Sequence, residues 1–303
     1  MTPSAAIDPA AFKSGYIALI GRPNVGKSTL MNALLGQKLS IVTPKPQTTR
    51  HRVLGILSEE NFQMIFLDTP GLLIPKYKLQ ETMVQAAKSA IEESDVLLFL
   101  VEPEAKVSSA NASILTDLIA ARKPVVLVIN KVDAIEKDRL LPLMQEYSTR
   151  FSLQTIVPIS ALKLDGLDEL KQVLIQNLLP GLPFYPMDMV TEHPERFFVA
   201  EIIREKVFQR FSAEIPYSTT VVVEEFKERE AGKDFISATI IVERNSQKGI
   251  LIGKKGAALK QVGQLARKEI EEMLDRPVFL ELYVKVKEKW RTNDSDLRQF
   301  GYK

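Results

Sequence analysis

The octet Gly21-Arg22-Pro23-Asn24-Val25-Gly26-Lys27-Ser28 constrains this chain more than any other stretch. It fits the pattern GxxxxGK[ST], follows an apolar run suited to a strand (YIALI, 16–20) and precedes a helical pattern (28–35). Glycine lets backbone N–H groups close around an anion, and the N-terminus of the following helix adds favourable dipole charge. The chain is therefore expected to build a strand, a tight loop and a helix that cradle a phosphate chain. Backbone N–H groups from Asn24, Val25, Gly26, Lys27 and Ser28 wrap the phosphates, with Gly21 opening the loop and Thr29 following it. Lys27 bridges the β- and γ-phosphates, and the Ser28 hydroxyl reaches Mg²⁺.

Such a loop needs a sheet behind it, and the sequence supplies one. Apolar runs at 62–67 (FQMIFL), 95–101 (DVLLFLV), 124–130 (PVVLVIN) and 155–160 (TIVPIS) read as further strands. Between them, 79–92, 108–122, 137–150 and 167–178 read as amphipathic helices. Strands alternating with helices predict an α/β domain whose mostly parallel sheet is covered on both faces. Ligand chemistry then belongs in the loops beyond the carboxyl ends of the strands.

Two such loops carry specific chemistry. Asp68-Thr69-Pro70-Gly71 ends the second strand: an acid there holds Mg²⁺ through water, and the Gly71 N–H faces a γ-phosphate. Asn130-Lys131-Val132-Asp133 ends a later strand and selects the base. A carboxylate only accepts hydrogen bonds; guanine offers N1–H and an amino group side by side, whereas adenine offers a bare acceptor at N1. Asp133 is therefore expected to favour guanine and reject adenine. Ser160-Ala161, after the next strand, lies where a backbone N–H meets guanine O6.

At 303 residues, two domains are expected. The absence of cysteine removes disulfides, thiolate nucleophiles and cysteine-ligated zinc, and fits a reducing compartment. With His51 and His193 the only histidines, and far apart in sequence, a histidine metal site or a Ser-His-Asp triad is not expected. No basic-then-apolar leader and no apolar stretch of about 18 residues occur, so a cytoplasmic protein is expected. The proline-rich segment PGLPFYPMDMVTEHP (180–194) breaks the alternation and reads as a linker. The resulting division is a flexible N-terminus at 1–14, a nucleotide domain at 15–180, a linker at 181–195 and a second domain at 196–303 with a C-terminal tail.

That second domain has a different order: a helix (196–212), strands (217–225 and 234–243), a short helix into Gly253-Lys254-Lys255-Gly256, a helix (257–274) and a strand (278–287). The GKKG loop invites comparison with the first phosphate loop, but no register through it gives GxxxxGK[ST]. Its charge points elsewhere. Arg244, Lys248, Lys254, Lys255, Lys260, Arg267 and Lys268 follow one another without an acid between Glu243 and Glu269. Residues 191–303 as a whole are nearly balanced, with 21 Lys and Arg against 19 Asp and Glu. Positive charge concentrated around one loop is the footprint of a phosphate polymer. Ile250, Leu251 and Ile252 before the loop, and Ala258, Leu259 and Val262 after it, supply either an apolar groove wall or the domain core.

The first half, with its motifs in this order, resembles the translation-factor class of GTPases. The family pattern places the switch threonine, which touches Mg²⁺ and the γ-phosphate only with GTP bound, at Thr49, with Thr48 as the alternative. Leu72 stands where Ras-like proteins carry a water-orienting glutamine, which implies slow intrinsic hydrolysis. In some relatives an asparagine at the position of Asn24 helps bind K⁺. The second half resembles a type II KH domain, in which GxxG clamps a single-stranded nucleic-acid backbone.

The combination, with VERNSQKGILIGKKGAALKQVG and a closing LELYVKVKEKWR, is similar to the Era-like family of GTPases from Tyr16 to Tyr302. The resemblance implies a P-loop GTPase domain followed by a smaller α+β type II KH domain, with GTP/GDP, Mg²⁺ and K⁺ as ligands. It implies Lys27, Thr49, Asp68 and Gly71 as catalytic and Ser28, Thr49 and Asp68 around the metal. Gly21, Asn24 to Thr29, Asp68 to Leu72, Asn130, Lys131, Asp133, Ser160 and Ala161 then contact nucleotide. Lys248, Ile250, Ile252, Gly253, Lys254, Lys255, Gly256 and Lys260 would contact RNA. As partners it implies small-subunit ribosomal RNA near its 3′ end, the small ribosomal subunit during maturation, and peripheral contact with the inner face of the cell membrane; a monomer is expected. Two readings from other classes compete: a GTPase whose second domain binds protein, with GKKG a structural turn, and a metabolic ATPase or kinase, which would require Asp133 to tolerate adenine.

Overall fold

The structure, a computed structural model, describes residues 8–302; residues 1–7, in the segment expected to be flexible, and residue 303 lie outside the described residues. The chain divides into two compact units. The first comprises the residues up to Ser40, Thr49–Leu73 and Met83–Glu192, and the second comprises Ile41–Thr48, Ile74–Thr82 and the residues from His193 on.

The first unit is built on a seven-stranded sheet. Strand β1 (Lys13–Gly21) pairs in parallel with β3 (Phe62–Asp68) and β4 (Val96–Val101). Outward from β4 come β5 (Val125–Ile129) and β6 (Ile156–Pro158), both parallel. β2 (Val53–Glu59) runs antiparallel on the far side of β3, and the two-residue β7 (Leu179–Pro180) pairs antiparallel with Lys13 and Ser14. Every residue of β3 and β4 is buried, as expected of central strands covered on both faces. The helices are α1 (Lys27–Leu35), α2 (Lys78–Glu93, counted in this unit from Met83 on), α3 (Ser109–Ala120), α4 (Leu140–Phe151) and α5 (Leu167–Asn177). Ser108 caps α3 by accepting from the Asn111 N–H.

Strand β2 was absent from the expected set, and the helix expected at 137–150 starts later: Lys137–Arg139 form a 3₁₀ turn ahead of α4. The proline-rich stretch read as a linker is tied to the sheet. Gln63 Nε2 donates to Tyr185 O at 2.9 Å, its Oε1 accepts from Phe184 N at 2.7 Å, and Ile56 N donates to Val190 O at 2.8 Å.

Because β1, β3, β4, β5 and β6 are parallel, their carboxyl ends meet at one edge. From that edge hang residues 21–28, 68–72, 102–104, 130–133 and 159–161, so the fold itself gathers the motifs.

The second unit has a three-stranded sheet, β10 (Val278–Val286), β9 (Asp234–Val242) and β8 (Thr220–Lys227), with β9 central, parallel to β10 and antiparallel to β8. Helices α6 (Glu195–Arg210), α8 (Asn245–Ile252) and α9 (Ala257–Leu274) bury Val199, Ile203, Leu251, Val262 and Ile270 against one face, where Ile236, Ala238 and Ile240 point. A short α7 (Ile215–Ser218) occupies residues expected to open β8, which instead begins at Thr220. Another short helix, α10 (Asp294–Gln299), precedes Tyr302, which stacks on buried Trp290.

Within this unit α6 carries a buried ionic ladder. Arg204 Nε donates to Glu201 at 2.8 Å, its Nη2 donates to Thr48 O at 2.6 Å, and Lys206 pairs with Glu205 and Glu269. Buried charges of this kind persist only when paired and hydrogen bonded. Among the described residues, no helix is long and apolar enough to cross a membrane.

Candidate functional site

The loop from Gly21 to Ser28 turns sharply at Gly26, whose φ of 100° is a left-handed conformation and where a Cβ would collide with the Asn130 side-chain amide. That approach has a purpose: Asn130 Nδ2 donates to Val25 O at 2.8 Å, while its Oδ1 accepts from the Ala161 N–H at 3.0 Å. One side chain thus ties three loops. Lys131 does similar work, its Nζ donating to Asn24 O at 2.7 Å and pairing with Glu102. Asp133, exposed at the edge, accepts from the Ser160 hydroxyl at 2.6 Å. The Ser160 N–H donates to Asp165 O, so both backbone donors of Ser160-Ala161 hold protein groups, and the serine hydroxyl orients Asp133.

Inside the loop, Lys27 is buried, with Nζ donating to Gly21 O at 3.1 Å and Arg22 O at 3.0 Å. Burial lowers its pKa to about 8, against the opposing pull of the Asp68 charge. Ser28 Oγ donates to Asp68 Oδ2 at 2.6 Å and lies 2.8 Å from Thr49 Oγ1. Burial pushes the Asp68 carboxyl up, with the Ser28 hydrogen bond and the Lys27 charge pulling the other way. Asp68 Oδ1 is buried with no protein hydrogen-bond partner.

Two hydroxyls and a carboxylate with an uncommitted oxygen form a hard-oxygen donor set that fits Mg²⁺, which takes one or two protein ligands and completes its shell with water and phosphate. Thr48 is placed differently, its hydroxyl engaged with Thr43 Oγ1 and Lys45 O, both at 2.6 Å. Thr69, by contrast, is wholly buried with its hydroxyl on Leu19 O at 2.7 Å, so its side chain secures the strand end. Pro70 is also buried, and Leu72 N donates to Gly21 O at 3.1 Å, which brings 70–72 beside the loop.

In the second unit, α8 and α9 meet at Gly253-Lys254-Lys255-Gly256. Gly253 has φ 71°, and a Cβ there would lie 2.7 Å from the Ala258 Cβ, so only glycine permits this junction. Lys254 and Lys255 are exposed at the turn. Beside it runs a groove of about 360 Å³ lined by Gly256, Leu259, Lys260, Gln264, Arg267 and Leu282, among others, between α9 and β10.

The sequence reading anticipated Gly256 and Lys260 here, counted Arg267 in the surrounding cation run and Leu259 among the apolar candidates, and missed Gln264 and Leu282, whose helical spacing from Lys260 and place on the edge strand are the only sequence signals for them. Of the apolar candidates, Leu251 and Val262 are core, Ile252 and Leu259 pack partly on it, and Ile250 is exposed. Lys248, Ile250, Ile252, Gly253, Lys254 and Lys255 surround the groove in sequence but do not line it.

Two family models match parts of this chain. The family model of the 50S ribosome-binding GTPase matches residues 16–131, and that of the KH domain matches residues 214–291. The chain is 52% identical over 292 residues to the GTPase Era of Geotalea daltonii, covering 96% of this chain and 98% of that protein. It is 51% identical over 291 residues to the GTPase Era of Geotalea uraniireducens, with the same coverage. Among solved structures it is similar to a variant of Aquifex aeolicus Era bound to GDP and AlF4⁻ (TM-score 0.93, 45% identity, 96% of this chain and 99% of that one). It is equally similar, by the same measures, to Era in complex with MgGDPNP and nucleotides 1506–1542 of 16S ribosomal RNA. At that identity over nearly the whole length of both chains, the chain belongs to the Era family of GTPases.

Proposed function

We propose that this chain is a GTP-hydrolysing switch that holds small-subunit ribosomal RNA near its 3′ end and assists maturation of that subunit. The observation that carries the RNA half is the groove beside GKKG, whose neighbourhood from Arg244 to Lys268 contains seven cations and no acid. A relative of the same fold is complexed with 16S ribosomal RNA nucleotides and MgGDPNP. Apolar Leu259 and Leu282 suit base faces, while Lys254, Lys255, Lys260 and Arg267 suit the backbone phosphates.

In the first unit, Lys27 and the loop N–H groups bind the phosphates, Asp133 reads guanine, and Ser28, Thr49 and Asp68 surround Mg²⁺. The metal, when bound, neutralises charge developing on the phosphates. Leu72 offers no side-chain hydrogen bond to water, so hydrolysis is slow without help; K⁺ near Asn24 supplies part of that help.

Crosslinking in cells followed by RNA sequencing tests the proposal, comparing the native chain with the Lys254→Asp/Lys255→Asp variant. Enrichment of the 3′ end of small-subunit RNA, lost in the variant, is the expected result. Failure to recover ribosomal RNA with the native chain would overturn it. Peripheral contact with the membrane belongs to the same proposal, and sedimentation with anionic vesicles tests it.

A further inference from the structure

β4 leaves the sheet at Val101, and the next residue, Glu102, belongs to none of the nucleotide motifs. Its carboxylate receives Lys131 Nζ, the same ammonium that donates to Asn24 O at 2.7 Å. Asn24 and Lys131 both have left-handed backbones, with φ of 68° and 64°. For residues other than glycine such conformations cost roughly a kcal/mol or more and persist where surrounding contacts over-determine them.

The geometry of a phosphate loop explains why these contacts matter. A peptide whose N–H faces the anion must turn its carbonyl away, so a carbonyl held from outside fixes the N–H inside. Asn130 holds Val25 O and Lys131 holds Asn24 O, two consecutive residues on two consecutive carbonyls. The Asn130 amide is short, and the Ala161 N–H fixes it. Lys131 has a flexible four-carbon stem and three donors, so it needs a further partner to stay on one carbonyl. Glu102 is that partner. Two residues on, Glu104 accepts from Arg22 Nη1 at 3.4 Å, so the segment after β4 grips the loop on both sides of Pro23.

We propose that Glu102 is a positioning residue for nucleotide binding: it holds the Lys131 ammonium on the Asn24 carbonyl and so keeps the phosphate loop preformed. The proposal rests on Lys131 being part of the nucleotide site. As an ion pair with side chains 42% and 41% exposed, Lys131–Glu102 contributes little to global stability. Its effect belongs in nucleotide retention.

The test uses the full chain with Mg²⁺ and fluorescent GDP and GTP analogues, following dissociation by stopped flow. Glu102→Gln is expected to release both nucleotides about five- to tenfold faster, which is roughly 1 kcal/mol of lost binding. Glu102→Asp should fall between it and the native chain, and the melting temperature of the nucleotide-free protein should stay unchanged. The double variant Glu102→Gln/Lys131→Met should release nucleotide no faster than Lys131→Met alone.

Slower or unchanged release from Glu102→Gln would overturn the proposal, since a carboxylate that only repels phosphates gives that result. So would additive effects in the double variant, or an equal fall in nucleotide-free stability. Lys131→Met alone reports separately on whether Lys131 serves the nucleotide at all: native release rates from that variant would remove the foundation, whatever Glu102→Gln does.

Discussion

The Ser160 hydroxyl donates to Asp133 Oδ1 at 2.6 Å and itself accepts from the Lys163 N–H at 3.2 Å. Asp133 is exposed, so without this bond its carboxylate would sample several rotamers before meeting a base. Ser160→Ala is therefore expected to weaken GDP and GTP alike, by about five- to tenfold, the net worth of a typical hydrogen bond at an exposed site. ATP should remain unable to compete, because Asp133, the carboxylate proposed to reject adenine, is still present. Competition titrations against a fluorescent guanine nucleotide check both parts, and ATP competition in the variant would contradict this account.

The burial of Lys27 predicts a pH dependence of binding. In the nucleotide-free protein its pKa lies at about 8, below the ordinary value of 10.5. Phosphate oxygens beside the ammonium favour its charged form and raise the pKa again. Below pH 8 the lysine is charged in both states, and binding moves no proton through it. Above pH 8 the free protein has lost the proton and the complex regains it, so affinity falls with rising pH by up to about tenfold per unit. Calorimetric titration of GDP at pH 9 in two buffers of different ionisation enthalpy should show net proton uptake, and Lys27→Met should abolish it.

Thr48 and Thr49 are adjacent in sequence, but their hydroxyls have different partners. The Thr49 hydroxyl lies 2.8 Å from that of Ser28, whereas the Thr48 hydroxyl is bonded to Thr43 and to the Lys45 carbonyl. Thr49→Ala is expected to slow single-turnover GTP hydrolysis by about tenfold or more while leaving GDP affinity within about twofold, since the contact forms only with the γ-phosphate in place. Thr48→Ala should change hydrolysis by less than about threefold. Equal effects of the two variants would reject the assignment.

These cases show what the sequence made legible. FQMIFL and VLLFLV announced buried parallel strands because a strand covered on both faces must be apolar throughout, and the loops beyond them followed from topology. β2 was harder: VLGILSE carries a glycine and follows a polar loop, and its pairing with β3 is a long-range choice that no local pattern marks. The start of α4 was displaced because Pro142, tolerated in a first helical turn, does not mark where that turn begins. Short α7 was hidden by Pro216, which reads as a turn in isolation but opens a helix here. Motif residues were legible one by one, yet the groups that orient them were not. Ser160 Oγ on Asp133, or Glu102 on Lys131, requires knowing which strand ends are neighbours.

Potassium offers a test of the loop that is independent of the base. Asn24 is exposed at the tip of the phosphate loop in a left-handed conformation, its carbonyl held by Lys131. If its side chain helps bind K⁺ beside the phosphates, hydrolysis should be faster in K⁺ than in Na⁺ at equal ionic strength. Asn24→Ala should remove that difference while leaving the rate in Na⁺ nearly unchanged. Multiple-turnover phosphate release in the two salts makes the comparison, and equal rates for the native chain would reject the idea.

The groove of the second unit permits a separation of charge from shape. Lys254 and Lys255 are exposed at the turn, so replacing both with alanine removes the two proposed phosphate contacts without disturbing the core. For single-stranded RNA each lost contact lowers the slope of log affinity against log salt by about 0.7, so the double variant should lose about 1.4. Gly263 also lines the groove, and a Cβ built there meets Leu282 Cδ1 at an ordinary 3.4 Å. Gly263→Leu therefore extends into the groove rather than into the core. It should weaken binding of an RNA matching the 3′ end of the small-subunit RNA by about tenfold or more, while the salt slope stays near the native value, because no cation has been removed. Filter binding over a KCl series measures both quantities. A Gly263→Leu variant that binds RNA normally would place the bases elsewhere on the domain, and an unchanged slope in the lysine variant would take the phosphates away from the GKKG turn.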